Sequence, residues 1–414
     1  MKNMPRERAP DSSLGVLLDG YEFIGKRSRR HRSDVFAARL LLEETICMTG
    51  AQAAELFYDE RRFQRMDAAP GLLKKTLFGE GGVQGLDDAD QRHRKQLFMS
   101  LMTADNVERL GQLTVQQWNT AMERMELSPQ TVLLDEARAI LFRAVCEWSG
   151  VPVQESEVPR RIEELGDLIE SPGSIGPRHW KGRVSRRSAE RWACRLIRRV
   201  RSGGLSTRID EALGVVAQHR DLSGQLLDER IAAVELLNIL RPTVAVAYYI
   251  TFLALALHSY PESGRQLEDG EVDAEWFVQE VRRFYPFFPF VAARVVDEFE
   301  WRGYRFPAGT RVLLDLYGTN HDSRLWEQPH AFRPERFRDW PGDPFSLIPQ
   351  GGGDHATGHR CPGEWITIEL MKVALAVLSS SIRYDIPPQD LRVSLSRMPA
   401  RPSSGFIIAN VRPA

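Results

Sequence analysis

From Ile231 to Leu257 the chain runs almost without a break through apolar residues with helical period, and the middle of that run carries Arg241-Pro242. A helix apolar on every side has to be wrapped by other elements. Its most apolar part, Thr243 to Leu257, is shorter than the ~20 residues a bilayer crossing needs. A buried core helix is therefore expected, and no membrane span. Both interior residues are costly. Proline removes a backbone hydrogen bond and kinks a helix, at about 3 kcal/mol or more. An unpaired buried guanidinium costs several kcal/mol. No acid lies within the same turn; Glu235 is six residues away. Either a distant Asp or Glu closes a salt bridge with Arg241, or an anionic ligand does, and breaches of local rules gather at functional sites.

Around this segment the chain reads as one helix-rich unit with a minor β part. Helical spacing covers 51–57, 61–66 and 107–151, and a basic helix spans Arg183 to Arg201. Residues 14–46 read as a short extended element, a solvated basic cluster from Lys26 to Arg32, and a strand from Val35. Short strands are expected at 291–296, 299–304 and 311–316, and a closing hairpin from Tyr384. Ser171 to Pro177 is a loop by its Gly and Pro content. The formal net charge of −1 excludes a nucleic-acid binder built on a basic face. Four scattered cysteines without CxxC spacing exclude a zinc ribbon and fit a reducing compartment. Met1 to Ser13 has no apolar run for a signal or anchor, so the protein is expected in the cytoplasm.

Near the C-terminus, Pro349-Gln350-Gly351-Gly352-Gly353-Asp354-His355 leads through His359 to Cys361-Pro362-Gly363 and then an apolar helix starting near Trp365. Glycines let backbone approach a flat partner closely. A cysteine ahead of a helix N-terminus meets the positive end of its dipole, which favours the thiolate. A thiolate there can ligate iron; an inert buried cysteine after a Gly-rich turn is the plain alternative.

Taken with Glu280-x-x-Arg283 and Phe332-x-Pro334-Glu335-Arg336-Phe337, in that order, this loop resembles the cytochrome P-450 superfamily over most of the chain. The resemblance implies a mainly α, single-domain fold over residues 1–414, a triangular helix-rich prism. Haem b would lie between the long central helix and the cysteine loop. Cys361 would be its axial ligand. Glu280 and Arg283 would meet Arg336 and brace the loop, and His359, Arg65 and Arg294 would hold the haem propionates.

Two departures narrow the resemblance. Asp354 stands where the family usually has phenylalanine, in a lengthened loop, and Arg241-Pro242 stands where the central helix usually carries an acid–alcohol pair. Both are similar to the fatty-acid peroxygenase branch, which uses hydrogen peroxide and needs no reductase. This implies hydroxylation of a long-chain fatty acid at the α or β carbon. The substrate carboxylate, held by Arg241 beside Pro242, would act as acid–base group. Phe78, Ile175, Phe287 and Phe288 would line the acyl channel. Gln84, where histidine accompanies decarboxylation to alkenes, would favour hydroxylation. The competing readings are a decarboxylase, a reductase-fed monooxygenase on another substrate, and a haem-containing fatty-acid sensor.

Overall fold

Glu229–Ser259 forms one uninterrupted 31-residue helix that passes through Pro242, and the rest of the molecule packs around it. The helix is long enough to cross a bilayer, yet 94% of its most apolar window is buried inside the fold. Its walls are the helices Leu133–Ser149, Val158–Glu170 and Pro177–Arg201 on one side and Ala274–Phe284 and Glu364–Ala376 on the other. A single large apolar cluster fills the spaces between them. The computed structural model describes residues 2–173 and 176–414.

A five-stranded sheet stands beside the helical part, in the order Val35–Leu40, Glu43–Met48, Arg311–Asp315, Phe290–Val295, Phe63–Gln64. Its one parallel pair aligns Thr45 with Arg311; the other pairs are antiparallel, with Phe290 opposite Asp315. A second apolar cluster lies under this sheet. Ile382–Asp385 and Ile407–Pro413 do pair as the chain closes, with Gln130–Val132 as a third strand.

Several local expectations differ from the structure. The stretch after Ser13 is helical, as Ser13–Asp19 and Phe23–His31, with the basic cluster on the second helix and Phe23 and Ile24 buried beneath it. Residues 61–66 form a turn into the strand Phe63–Gln64, because that strand finds a partner in Phe290–Val295. The expected strand 299–304 is instead the hairpin Phe299–Trp301 and Tyr304–Phe306, turned at Arg302 and Gly303, both with positive φ.

Glu280 and Arg283 are fully buried and paired at 2.7 Å, and Arg336 reaches the same carboxylate at 3.2 Å. Arg283 also donates to the carbonyls of Asn320 and Pro329, and Glu280 accepts from the Arg333 N–H. The cluster thus ties the helix Ala274–Phe284 to the irregular segment ahead of the cysteine loop. Breaking a buried pair by removing one partner costs ~3–5 kcal/mol. Arg283→Ala should lower unfolding stability by about that amount, read as a lower urea midpoint; an unchanged midpoint would show the triad to be dispensable.

Candidate active site

Cys361 sits three residues ahead of the helix Glu364–Ala376, its N–H donating to the Gln350 carbonyl at 3.2 Å. Its side chain is partly accessible, yet burial, reinforced by the Glu364 carboxylate, pushes the thiol up. The Gly363 N–H, Lys95 and Arg282 work in the opposite direction, toward the thiolate. Gln350 lies alongside, its Nε2 3.8 Å from Sγ and 3.1 Å from Thr367 Oγ1. Glu364 is itself buried and held well below the usual carboxylate range: burial opposes ionisation, but Arg282 and Arg360 outweigh it.

The glycines before this cysteine serve the protein's own packing. A Cβ on Gly352 would lie 2.6 Å from the Pro344 carbonyl, and one on Gly353, at φ +80°, would press on Tyr58. Asp354 folds the lengthened loop on itself, accepting from the Thr357 N–H and hydroxyl at 2.7 Å each.

One edge of the site is cationic. Arg65 is buried, stacked on Phe57, with Nη1 lacking any partner. Burial pushes the His359 imidazole far below its ordinary range, helped by Arg65 and Lys95. Lys95, brought down to about 8 by burial, donates to the carbonyls of Gly358 and Arg360. Of the acids at this edge, Asp87 lies 3.7 Å from His359 and already accepts the N–H groups of Arg65 and Met66, while Asp354 is taken up by Thr357. Buried cations set beside a buried thiol ahead of a helix N-terminus fit a haem, whose iron would take the thiolate and whose propionates would take the cations. Arg294 does not join this edge. Its guanidinium pairs with Glu43 at 2.6 Å and donates to the carbonyls of Asp67 and Gly309, because Arg294 stands opposite Gln64 in the sheet and shares that residue's face, the one opposite to Arg65's. Sequence reading missed Lys95, whose partners lie more than 260 residues away.

Arg241 is 5% exposed. Its Nε has no partner, and Nη2 makes one long contact, 3.4 Å to Asn238 Oδ1. Burial brings the guanidinium down to about 9, Arg186 adds to the fall, and Cys361 opposes it. No carboxylate among the described residues pairs with it. Pro242 has no N–H to offer the Asn238 carbonyl one turn back. Asn238 also links to Gln84, donating to its Oε1 at 3.2 Å, and to Glu235 at 2.9 Å. Fully buried Glu235 accepts in addition from the Val83 N–H at 2.9 Å and from Arg94 at 2.8 Å. Glu235 is thus engaged by Arg94, which lies 141 residues earlier, and does not compensate Arg241.

Of the expected channel residues, Phe287 stacks at 4.3 Å on Tyr249 of the central helix, and Phe288 meets Phe287 edge-on at 5.2 Å while packing toward the sheet. Phe78 is half-buried; Arg186 secures its backbone by donating to the Leu77 and Phe78 carbonyls. Ile175 lies outside the described residues.

The cytochrome P-450 family model matches residues 274–406. Cytochrome P450EX alpha (CYP152N1), solved with myristic acid, is 49% identical to this chain, covers 100% of both chains and superposes with a TM-score of 0.98. The chain belongs to the cytochrome P-450 family. Within it, the similarity is to the bacterial fatty-acid peroxygenase branch. Cytochrome P450SP alpha (CYP152B1), in complex with (R)-ibuprofen, is 49% identical over 98% of this chain and 99% of its own, with a TM-score of 0.96. A cytochrome P-450 OleT variant in complex with arachidonic acid is 34% identical over 100% and 99%, with a TM-score of 0.97. The curated relatives align over a shorter stretch. Cytochrome P-450 71D179 of Thymus vulgaris is 36% identical over 115 residues, which is 27% of this chain and 22% of the relative. As a cytochrome P-450 the protein uses haem iron, which Cys361, Lys95, His359 and Arg65 could hold.

Proposed function

We propose that this cytochrome P-450 is a peroxygenase, one domain over residues 1–414, that hydroxylates long-chain fatty acids at the α or β carbon with hydrogen peroxide. The observation that carries this reading is Arg241: a buried cation on the central helix, within electrostatic reach of Cys361, with no carboxylate of its own chain. A planar guanidinium grips a carboxylate bidentately and stays charged. A carboxylic acid of ordinary pKa, ~4, is ionised at neutral pH. Held by Arg241, it can take a proton from peroxide and return it to the departing oxygen, a kind of assistance that contributes about 10²- to 10⁴-fold. Haem b, bound through Cys361, supplies peroxide activation and O–O cleavage, which a thiolate ligand favours. Affinity comes mainly from the chain, at about 0.8 kcal/mol per buried methylene, with Phe78 and Phe287 as wall. Anchoring the carboxylate leaves the α and β carbons nearest the reacting centre. The ligands named for the relatives include myristic and arachidonic acids, which are of this class. No redox partner is required on this reading, and we place the protein in the cytoplasm.

The test is product analysis after adding peroxide and a saturated long-chain acid to the haem-loaded protein. Free 2- or 3-hydroxy acids are expected. Turnover that needs an electron-transfer protein instead would make it a reductase-fed monooxygenase.

Gln84 sets the product on this reading. Its neutral amide, tied to Asn238, can hydrogen-bond but cannot titrate near neutral pH, whereas an imidazole can. Gln84→His should raise the fraction of terminal alkene at the expense of hydroxy acid. A wild-type enzyme that already makes mostly alkene would remove Gln84 from that role.

A further inference from the structure

Glu170 ends the helix Val158–Glu170, just ahead of the turn into Pro177–Arg201, and four guanidiniums converge on its carboxylate. Arg138 at 2.5 Å and Arg178 at 2.7 Å hold it tightly; Arg401 at 3.4 Å and Arg397 at 3.5 Å do not. Tyr248 donates to the same carboxylate at 3.0 Å and accepts from Arg138 at 2.7 Å. Among the described residues the only other acid in contact, Asp135, is exposed and pairs with Arg138. Arg397 and Arg401 therefore share a carboxylate already engaged by others, and the Nε of each is buried without a hydrogen-bond partner. Next to Arg178 in the chain, His179 is 7% exposed with neither ring nitrogen partnered. A cluster with this excess of positive charge favours a second anion.

Its placement says which anion. Tyr248 follows Arg241 by seven residues on the central helix, so it lies on the same face, ~10.5 Å along the axis. Arg178 precedes Arg186, whose charge reaches Arg241, by eight residues, or ~12 Å along its own helix. His179 shares its helix face with Arg186, seven residues on. Because Tyr248 donates to Glu170, the central helix sets the outer cluster ~10.5 Å along its axis beyond the residue that carries the inner guanidinium. An extended hydrocarbon advances ~1.3 Å per carbon, from bonds of ~1.5 Å.

We propose that Arg397 and Arg401 form an outer carboxylate site, and that the protein takes α,ω-dicarboxylic acids of about 10–14 carbons. One carboxylate is held by Arg241 and the other by the outer pair. The proposal rests on the fatty-acid reading of Arg241 and extends it to the far end of the chain.

The experiment measures binding of dodecanedioic and dodecanoic acids to the haem-loaded protein by titration calorimetry, with turnover in parallel. Wild type should bind and oxidise both. Arg397→Gln/Arg401→Gln should weaken the diacid about tenfold, the scale of a charged hydrogen bond, and leave dodecanoic acid unchanged. Arg397→Lys/Arg401→Lys should restore most of the loss. Should the double variant misfold, Arg397→Gln alone, at the more exposed position, carries the same comparison. Equal loss for both acids, or no loss for the diacid, overturns the outer site. Wild type that oxidises dodecanoic acid but rejects the diacid overturns it as well, while the fatty-acid reading stands. Wild type that oxidises neither acid defeats that reading and the outer site with it.

Discussion

Arg241→Ala is expected to lose nearly all peroxide-driven hydroxylation while its haem content stays normal. Taking away one partner of a buried ion pair typically costs ~3–5 kcal/mol, a factor on the order of 10²–10³ in affinity or rate. The structure sharpens this expectation, because among the described residues the guanidinium has only the long contact to Asn238. A buried charge without a counter-ion is a burden on the fold. Arg241→Met, which keeps the bulk, should therefore unfold at the same urea concentration as wild type or a higher one, while being as inactive as the alanine variant. Loss of activity with stability retained is the mark of a residue kept for its ligand. If Arg241→Ala stays active, the carboxylate binds elsewhere; if Arg241→Met is strongly destabilised, Arg241 has a structural partner.

Cys361→Ala should abolish the strongly red-shifted Soret band that the reduced carbonyl complex of a thiolate-ligated haem displays, and all turnover with it. The other three cysteines should each be replaceable without losing the band. Cys47 and Cys146 are buried in apolar surroundings that push their thiols up, and Cys194 packs against the main apolar cluster and donates to the Glu229 carbonyl at 3.7 Å. A wild-type spectrum of the histidine-ligated kind would remove Cys361 from the iron.

The features legible in the sequence are those whose reasons are local. The apolar run around Arg241 could only be a buried helix, and a cysteine before a helix could only lie near its N-terminus. The partners of these residues were not legible, because they are remote in the chain. Glu235 looked like the one acid near Arg241, but Arg94 and the Val83 N–H occupy it. Arg294 looked free to meet a propionate, but Glu43, 251 residues earlier, holds it and Arg311 together. Lys95 and the arginines around Glu170 were missed for a related reason. A charged residue in sequence reads as surface until the fold shows what it is pressed against.

The loop that carries Gln84 is held by its main chain. Glu235 grips the Val83 N–H, and Arg186 grips the Leu77 and Phe78 carbonyls, so the backbone path does not depend on which side chain stands at 84. Glutamine and histidine codons differ by a single third-position base. A lineage built on this frame could change what it makes from a fatty acid by one base substitution, with no remodelling of the scaffold and little loss of stability to repair afterwards. Product identity in such a lineage should therefore turn over faster than substrate identity, which on the proposed reading rests on the buried Arg241.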